Sequence, residues 1–411
     1  MKRYDSIVGI DLGTSKTCIV IAEIVDEKNF EVIGAGTSDS RGINAGVIVN
    51  IDEATDTILD ALDKAMEMAG KVRVRDVIVN VSGKYIKSFD TTATVNISRG
   101  KGAIITENDV KRVIDAARIN ASSGGDEEII HVLPRNFIVD NESGIQNPIN
   151  MSGSKLEIDA LIVTGNPTSL RNLRTAFDNA DLYVSDVVVN ALASGESTLS
   201  IAEREQGTAV IDIGSGTTDI GVFSDGSLIY TRVIPGGSKY VTNDISIGFK
   251  IPFEDAERIK INHGNALPEY IDKSSTIKVD IGGIHQKDIS VYELSKVIEA
   301  RAKELLSLAK KGLDKSGYTR YIRNGGVVLT GGFSLLKGVD KLAESVFETS
   351  VRVGFPNYTG PLFEMVNTPI HSTIMGLLLY GIKNIDERDR RYNGPLDKIL
   401  DFIRKIFGDI F

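Results

Sequence analysis

The sequence predicts an α/β fold in which two related α/β domains face each other across a cleft, with a small α+β subdomain inserted into the first domain. One observation is a strand–turn–strand unit that occurs twice, as VGIDLGTSKTCIV from Val8 and as VIDIGSGTTDIGVF from Val210. Another is the alternation of strand-like and helix-like stretches in both halves of the chain, which is typical of α/β domains. The third is a polar, strand-rich segment that interrupts the first half after residue 83.

The first domain is expected to contain three strands, followed by an amphipathic helix. The helix IDEATDTILDALDKAMEMAG would end at Gly70 and bury one apolar face. That face would consist of Ile58, Leu62, Ala65, Met66 and Ala69. The polar segment that follows contains one clear helix, which begins after Thr106. The predicted boundaries are 1–83 for the first domain, completed by 163–196 and 365–382, and 84–162 for the inserted subdomain.

The second domain is expected to repeat the first. Asp11, Gly13 and Thr17 recur with the same spacing as Asp212, Gly214 and Thr218. A spacing this long indicates duplicated domains rather than a solenoid. The predicted boundaries are 197–240 for the second domain, completed by 305–364, then 241–304 for its outer subdomain, 383–395 for a charged linker and 396–411 for a C-terminal amphipathic helix.

The composition excludes some classes of protein. The 411 residues carry 47 Lys and Arg against 56 Asp and Glu, a net charge of -9, which disfavours a general nucleic-acid binder. A single cysteine, Cys18, excludes an internal disulfide, and its apolar surroundings indicate a core residue. We expect neither a signal peptide at the N-terminus nor a membrane-spanning helix.

The doubled turn has the chemistry of a phosphate site. Consecutive backbone N–H groups and hydroxyls in Gly/Ser/Thr turns hold phosphates, and GTSKT adds the cation of Lys16. Asp11 and Asp212 stand just before the turns, where a hydrated Mg²⁺ would separate carboxylate from phosphate. LTGG, at 329–332, offers a third close backbone approach. For either turn alone, an Asp that caps its own turn is the simpler interpretation.

Five motifs in order carry a resemblance to a known superfamily. They are DLGTSKT, VNALASGEST, DIGSGTTDIGVF, VVLTGGFSLLKGVDKLA and PIHSTIMGLLLYG. Together they resemble the phosphate, connecting-helix and adenosine motifs of the actin, heat-shock chaperone and sugar kinase ATPases. The resemblance implies an actin-like fold, with two ribonuclease-H-like domains around a nucleotide cleft. Within the superfamily, the position of the insertion, the segments AERIKINHGNAL and VIPGGSKYVTNDI, and the C-terminal tail are similar to the FtsA family of bacterial cell division proteins.

The resemblance also implies which residues hold ATP or ADP with Mg²⁺. Asp11 and Asp212 would face the hydrated metal, and Gly236 and Gly237 would approach the phosphates or the ribose. The β- and γ-phosphates would contact Gly13, Thr14, Ser15, Lys16, Gly214, Ser215, Gly216 and Thr217. The adenosine would lie above Gly331, Gly332 and Leu335, edged by Glu257 and Lys260, for which a solvated helix face is the alternative.

One departure from the superfamily concerns hydrolysis. Active ATPases of this type place an acid or a glutamine at the start of the first connecting helix, to orient the attacking water. Here the matching residue is Asn190, or Ala191 if the alignment slips by one position. An amide can hold a water but cannot take its proton, so we expect weak or no ATPase activity.

The resemblance implies several partners and a location. The chain would tether FtsZ filaments to the cytoplasmic face of the cell membrane at the septum, polymerise with itself, and recruit later division proteins through the inserted subdomain. Lys296 and Arg301 are the cations expected to bind the FtsZ C-terminal peptide, unless they form a solvated helix face. The membrane would be bound by the apolar stripe Leu396, Ile399, Leu400, Ile403, Ile406, Phe407 and Ile410, unless this tail docks on the protein itself. A PilM-like pilus assembly scaffold and a small-molecule kinase are the alternatives.

Overall fold

A computed structural model describes residues 6–26, 29–97, 102–122, 125–282, 285–322 and 324–384. No helix among these residues is both long and apolar enough to cross a membrane. The first domain opens with β1 (Ser6–Leu12), β2 (Lys16–Ile24), β3 (Phe30–Asp39), the short hairpin β4 (Ile43–Asn44) and β5 (Val47–Ile48), α1 (Ile51–Met68) and β6 (Asp76–Val81). The chain then enters the inserted subdomain, which contains β7 (Lys87–Asn96), α2 (Glu107–Ser122), β8 (Glu128–Val139), β9 (Glu142–Ile145) and β10 (Lys155–Gly165).

The chain returns to the first domain and then builds the second. The return consists of α3 (Pro167–Asn179), β11 (Tyr183–Val189) and α4 (Asn190–Thr198). The second domain begins with α5 (Ile201–Gln206), β12 (Thr208–Ile213), β13 (Thr217–Ser224), β14 (Ser227–Pro235), α6 (Lys239–Phe249), α7 (Phe253–His263), β15 (Thr276–Ile281), β16 (His285–Ser290) and α8 (Val291–Ser316). It ends with β17 (Val327–Thr330), α9 (Val339–Phe347) and β18 (Val351–Val353), after which the chain returns to the core of the first domain with α10 (Phe363–Val366) and α11 (Ser372–Lys383). Short 3₁₀ helices lie at Pro268–Tyr270, Tyr318–Ile322, Gly332–Leu335 and Pro369–His371.

The two domains are built on matching five-stranded sheets. The strand order is β11-β6-β1-β2-β3 in the first and β18-β17-β12-β13-β14 in the second. In each sheet the hairpin is antiparallel and the next strand on the other side of its first strand is parallel. The registers also correspond, since Leu12 pairs with Thr17 and Ile213 pairs with Thr218. This confirms the predicted pair of related α/β domains.

Helix α1 forms where its sequence predicts it. The side chain of Asn50 accepts a hydrogen bond from the backbone N–H of Glu53 and so caps the helix. Ile58, Leu62 and Ala65 of the predicted apolar face are buried, while Met66 and Ala69 are partly buried against the same core. The helix lies very close to β3, because a methyl group on Gly36 would fall 2.1 Å from the carbonyl oxygen of Ala61.

The inserted subdomain has its own four-stranded sheet, in the order β7-β10-β8-β9, and its own core with α2. Strand β10 serves two cores, because alternate side chains of a strand point to opposite faces. Ile158 and Ile162 pack in the core of the inserted subdomain, whereas Leu161 and Val163 pack in the core of the first domain. The insert therefore shares β10 with the first domain, and Leu133 of β8 packs in the core of that domain as well.

An arginine connects the insert to the second domain. Arg135 on β8 forms ion pairs with Asp159 on the neighbouring strand β10 and with Asp90 on β7, the next strand along, at 2.9 Å each. It also donates a hydrogen bond at 3.0 Å to the hydroxyl of Tyr318, which follows α8 in the second domain. Only 12% of the Arg135 side chain is exposed, so the guanidinium is held in a largely enclosed contact between the two units. We call this group of four residues the Arg135 cluster.

Helices α4 and α11 cross between the domains at very short range. A methyl group on Gly376 of α11 would lie 1.7 Å from the carbonyl oxygen of Ala193 in α4. Glycine is therefore required at this crossing, since the obstacle is backbone. The N-terminal ends of both helices reach the cleft, where they contribute Asn190 and Thr373.

Candidate functional site

The two predicted phosphate turns meet across the cleft. Each turn is closed by one backbone hydrogen bond, from Gly13 N–H to the carbonyl of Lys16 at 3.1 Å and from Gly214 N–H to that of Thr217 at 3.0 Å. A methyl group on Gly216 would lie 2.6 Å from the side-chain oxygen of Thr14, so the turns are in direct contact. The predicted phosphate residues of the two domains are thus brought together, with Ser15 and Lys16 exposed at the edge.

A third backbone segment packs on the second turn. Gly236 donates its N–H to the carbonyl of Gly216 at 3.0 Å, and Ser238 donates to that of Gly214 at 2.9 Å. The backbone of Gly236 is in the left-handed region, with φ of 126°. A methyl group on Gly237 would lie 2.4 Å from the carbonyl oxygen of Gly214. The predicted pair Gly236 and Gly237 therefore lies directly beside the phosphate turns, where only glycine fits.

Three acidic side chains lie beneath the turns. Burial, together with the negative charge of Asp212, raises the pKa of Asp11 to about 7, against a hydrogen bond from Asn80. Burial raises the pKa of Asp212 to about 6, against hydrogen bonds from Thr373 and Ser194. Burial also raises the pKa of Asp219 well above its usual value, and this residue was not predicted for the site. No arginine or lysine among the described residues forms an ion pair with these three carboxyl groups, and burial favours their neutral forms.

These carboxyl groups fit a divalent cation. Asp11 and Asp212 come from opposite domains, and their repulsion contributes to the raised pKa of Asp11. Mg²⁺ is commonly held by one or two carboxylates, with water and phosphate oxygens completing its shell. Asp11 and Asp212 are the residues that would hold it, as predicted from the sequence. When bound, the ion would neutralise charge on the phosphates.

Asn80, at the end of β6, links three parts of the site and was missed by sequence reasoning. Its side-chain oxygen accepts a hydrogen bond from the backbone N–H of Leu12 at 2.7 Å. Its side-chain nitrogen donates to Asp11 at 2.6 Å and to Asn190 at 2.9 Å. Asn80 is 3% exposed, so this network is buried. The strand signal of VIVNVSG gave no indication that its asparagine would face the cleft.

Two hydroxyl groups also join the domains at the base of the cleft. The hydroxyl of Ser82 donates to both carboxyl oxygens of Asp219, at 2.8 and 2.9 Å. The hydroxyl of Thr373 donates to Asp212 at 2.9 Å. Ser82 and Thr373 belong to the first domain, whereas both aspartates belong to the second. Contacts between such distant segments leave no local pattern in the sequence.

The predicted adenosine residues lie on one side of the cleft. Gly331 has φ of 81°, and a methyl group there would lie 2.4 Å from a carboxyl oxygen of Asp212. The neighbouring Gly332 is open, since the nearest atom to an added methyl is Ile370 Cγ1 at 3.8 Å. Leu335 is 49% exposed. An exposed leucine beside an open glycine provides an apolar surface of the kind that a base can cover.

Of the predicted pair Glu257 and Lys260, Lys260 is largely buried and does not lie on a solvated helix face. The ammonium of Lys260 lies 2.7 Å from Glu257 and donates to the hydroxyl of Thr242 at 2.9 Å, with 12% of the side chain exposed. Burial lowers the pKa of Lys260, although the charge of Glu257 acts in the opposite direction. Helix α7 ends at Gly264, where an added methyl would lie 2.9 Å from Leu336. The end of the helix that carries this pair therefore packs beside Leu336, which follows the 3₁₀ helix Gly332–Leu335.

The predicted cations of α8 have different environments. Arg301 forms an ion pair with Asp244 at 2.6 Å and a second one with Glu304 at 2.7 Å. Lys296 is exposed, and its ammonium lies 5.7 Å from the ring centre of Tyr292. Five residues along an α-helix correspond to a rotation of about 140°, so the two cations do not share a face. The predicted membrane stripe, 396–411, and most of the linker lie outside the described residues.

Comparison with solved structures identifies proteins that have a similar fold. The structure resembles that of a PilM-PilN type IV pilus biogenesis complex, with a TM-score of 0.62, 15% identity, and coverage of 92% of this chain and 99% of the other. It also resembles MreB5 of Spiroplasma citri bound to ADP, with a TM-score of 0.56, 14% identity, and coverage of 95% and 99%. At these identities the likeness concerns the fold alone, and it confirms the predicted actin-like architecture.

Sequence comparison identifies the family. A family model for the cell division protein FtsA matches residues 209–376, and one for the SHS2 domain inserted in FtsA matches residues 83–164. Cell division proteins FtsA from Borreliella burgdorferi, Pseudomonas aeruginosa and Escherichia coli K12 are 40%, 37% and 33% identical to this chain. These matches cover 97%, 92% and 91% of this chain, and 98%, 89% and 90% of the relatives. The chain belongs to the FtsA family of cell division proteins.

Proposed function

We propose that this chain binds ATP with Mg²⁺ in its cleft and, as an actin-like polymer, tethers FtsZ filaments to the cytoplasmic membrane at the division site. Further division proteins would be recruited through the inserted subdomain. The observation that carries the nucleotide part is the contact between Thr14 and Gly216, which places two equivalent phosphate turns face to face. Asp11 and Asp212 lie beneath these turns, where a metal–phosphate group would be held from both domains.

The nucleotide proposal is tested by titrating the protein with ATP in the presence of Mg²⁺ and again with a chelator. Gly216→Val should lower the affinity at least tenfold, because its side chain would occupy the space between the turns. Gly125→Ala is the matched control, since nothing lies within 4 Å of its added methyl group. Equal affinities in the two variants would show that the turns do not hold the nucleotide.

Hydrolysis should be slow. Asn190 stands at the first position of α4, where more active relatives of the fold would need a stronger water-orienting group. Its amide has no basic site able to take a proton. A steady-state rate of about 1 per second, which is common for enzymes, would contradict this expectation.

The FtsZ proposal separates into two experiments because the two cations differ. Lys296→Glu changes a surface charge whose ion pair with Glu293 lies on the same helix. Arg301→Glu also disrupts the contact with Asp244 on α6, so Asp244→Ala is its control. Binding of a fluorescent FtsZ C-terminal peptide would be followed by anisotropy. A loss in Arg301→Glu but not in Asp244→Ala would support direct contact, whereas unchanged affinity in Arg301→Glu would remove this residue from the site.

The membrane proposal rests on the sequence of 396–411. Its side chains include three cations and three acids, so attraction to anionic lipid contributes little. Seven apolar residues on one stripe would supply most of the binding. One tail should bind weakly, while several tails held together in a polymer should bind much more tightly through their effective concentration.

A further inference from the structure

The buried side chain of Asn80 has a single orientation that the hydrogen-bond chemistry allows. The backbone N–H of Leu12 can only donate, and it lies 2.7 Å from one end of the Asn80 amide. That end must therefore be the oxygen. The other end is the nitrogen, and its two N–H groups serve Asp11 and Asn190.

This orientation determines that of Asn190 in turn. The atom of Asn190 that lies 2.9 Å from the Asn80 nitrogen has to accept a hydrogen bond, so it is the side-chain oxygen. The nitrogen of Asn190 then points away from Asn80 and donates to no protein atom among the described residues. Asn190 also lies close to Asp11, because both accept from the same nitrogen. The amide nitrogen of Asn190 is thus available as a donor to a group in the cleft, while its oxygen accepts the hydrogen bond from Asn80.

We propose that Asn80 is a positioning residue that holds Asn190 with its amide nitrogen towards the terminal phosphate of ATP. This orientation strengthens the binding of ATP and slows its hydrolysis. This inference rests on the proposed function, namely that the cleft binds ATP. In hydrolysis, the oxygen of water forms a bond to the terminal phosphorus. The bond from that phosphorus to the bridging oxygen breaks, the electron pair stays on the β-phosphate, and a proton of the water passes to solvent.

The geometry affects binding and hydrolysis in opposite directions. An N–H donor stabilises the terminal phosphate of ATP, which ADP lacks. The same donor cannot accept a hydrogen bond from the attacking water, which is how a side chain orients the lone pair of that water towards phosphorus. If the bond to Asn80 is lost, the amide of Asn190 is free to turn its oxygen to the cleft. A net hydrogen bond corresponds to about a two- to tenfold bias between such orientations.

The test is a double-mutant cycle with Asn80→Ala, Asn190→Ala and the double variant. Binding of ATPγS and ADP would be measured with Mg²⁺, together with the single-turnover rate of ATP hydrolysis. Asn80→Ala should reduce the preference for ATPγS over ADP about two- to tenfold and raise the hydrolysis rate by a similar factor. In the Asn190→Ala background, Asn80→Ala should change both quantities less, because only its hydrogen bonds with Asp11 and Leu12 are then lost. Asn136→Ala is the matched control, because its amide oxygen also accepts a backbone N–H, from Gly144 at 2.9 Å, but in the inserted subdomain.

The outcomes separate this inference from the proposed function. Equal effects of Asn80→Ala with and without Asn190 would show a general structural role and overturn the positioning role. A slower rate in Asn80→Ala would also overturn it. If the unsubstituted protein binds neither nucleotide, the proposed function and this inference both fail. Asn80→Ser provides a second, smaller perturbation if the alanine variant does not fold, and it should show the same dependence on Asn190.

Discussion

Replacing Gly376 by alanine tests the crossing of α4 and α11. The added methyl would lie 1.7 Å from the carbonyl oxygen of Ala193, whereas ordinary contact begins at 3.4 Å. The carbonyl carbon and the Cα of Ala193 would be only 2.4 and 2.9 Å away. These are backbone atoms, so no side-chain rotation relieves the overlap and the two helices must separate.

The expected cost is about 2–2.5 kcal/mol, since overpacking at the upper end of the usual range costs about 3 kcal/mol and alanine returns about 0.5–1 kcal/mol of helix propensity. For domains of this size the melting temperature should fall by roughly 5–10 °C. ATP affinity should fall as well, because the two helices carry Asn190 and Thr373 into the cleft.

The matched control is Gly248→Ala in α6. Its added methyl meets only Val297 at 3.9 Å, so the melting temperature should stay the same or rise slightly. Thermal unfolding by circular dichroism, with and without ATP–Mg²⁺, measures both effects. If Gly376→Ala melts at the same temperature as Gly248→Ala, the helices do not cross as closely as described and the reasoning is wrong.

Three further predictions concern the metal site, acid stability and the tail. Asp212→Ala should weaken Mg²⁺-dependent ATP binding at least tenfold in calorimetric titrations, whereas an effect on thermal stability alone would support a turn-capping role. Glu196 is buried, and although burial opposes ionisation, Arg204 and Lys383 lower its pKa from 4.5 to about 2. Its ionised form therefore stabilises the fold above about pH 4.5, and this contribution, of order 1–3 kcal/mol, is lost as the pH falls towards 2. Urea unfolding of Glu196→Gln should accordingly show a flatter dependence between pH 4.5 and 2, and an unchanged slope would contradict the assignment. Liposome co-sedimentation should be nearly independent of salt and should be abolished in Phe407→Glu, and a tenfold loss at high salt would instead indicate electrostatic attachment.

Features that depend on local sequence could be predicted. Spacing within one segment predicts the turns that begin at Gly13 and Gly214. It also predicts the apolar face of α1 and the helix after Thr106. The doubled motif also predicted the matching sheets, because equivalent hairpins imply equivalent neighbours.

Features that depend on contacts between distant segments could not be predicted from the sequence. Asn80 lies 69 positions from Asp11 and 110 from Asn190, and nothing near it in the sequence indicates an asparagine turned towards the cleft. Thr373 is separated from Asp212 by 161 positions. The burial of Lys260 could not be predicted either, because a charged helix sequence of this kind is also compatible with a solvated face.

The Arg135 cluster has a consequence for motion. The inserted subdomain packs on the first domain through β10 and Leu133 of β8, and it contacts the second domain through Arg135 and through a hydrogen bond from Ser88 to the carbonyl of Thr231. Together with the crossing helices α4 and α11, these connections link the three units in a closed ring. A rotation that widens the cleft would therefore strain the Arg135 cluster and the hydrogen bond from Ser88 to the carbonyl of Thr231, or bend the insert at β10. Strain applied to the insert would therefore reach the cleft by this route, and closure of the cleft would in turn strain the contacts that hold the insert.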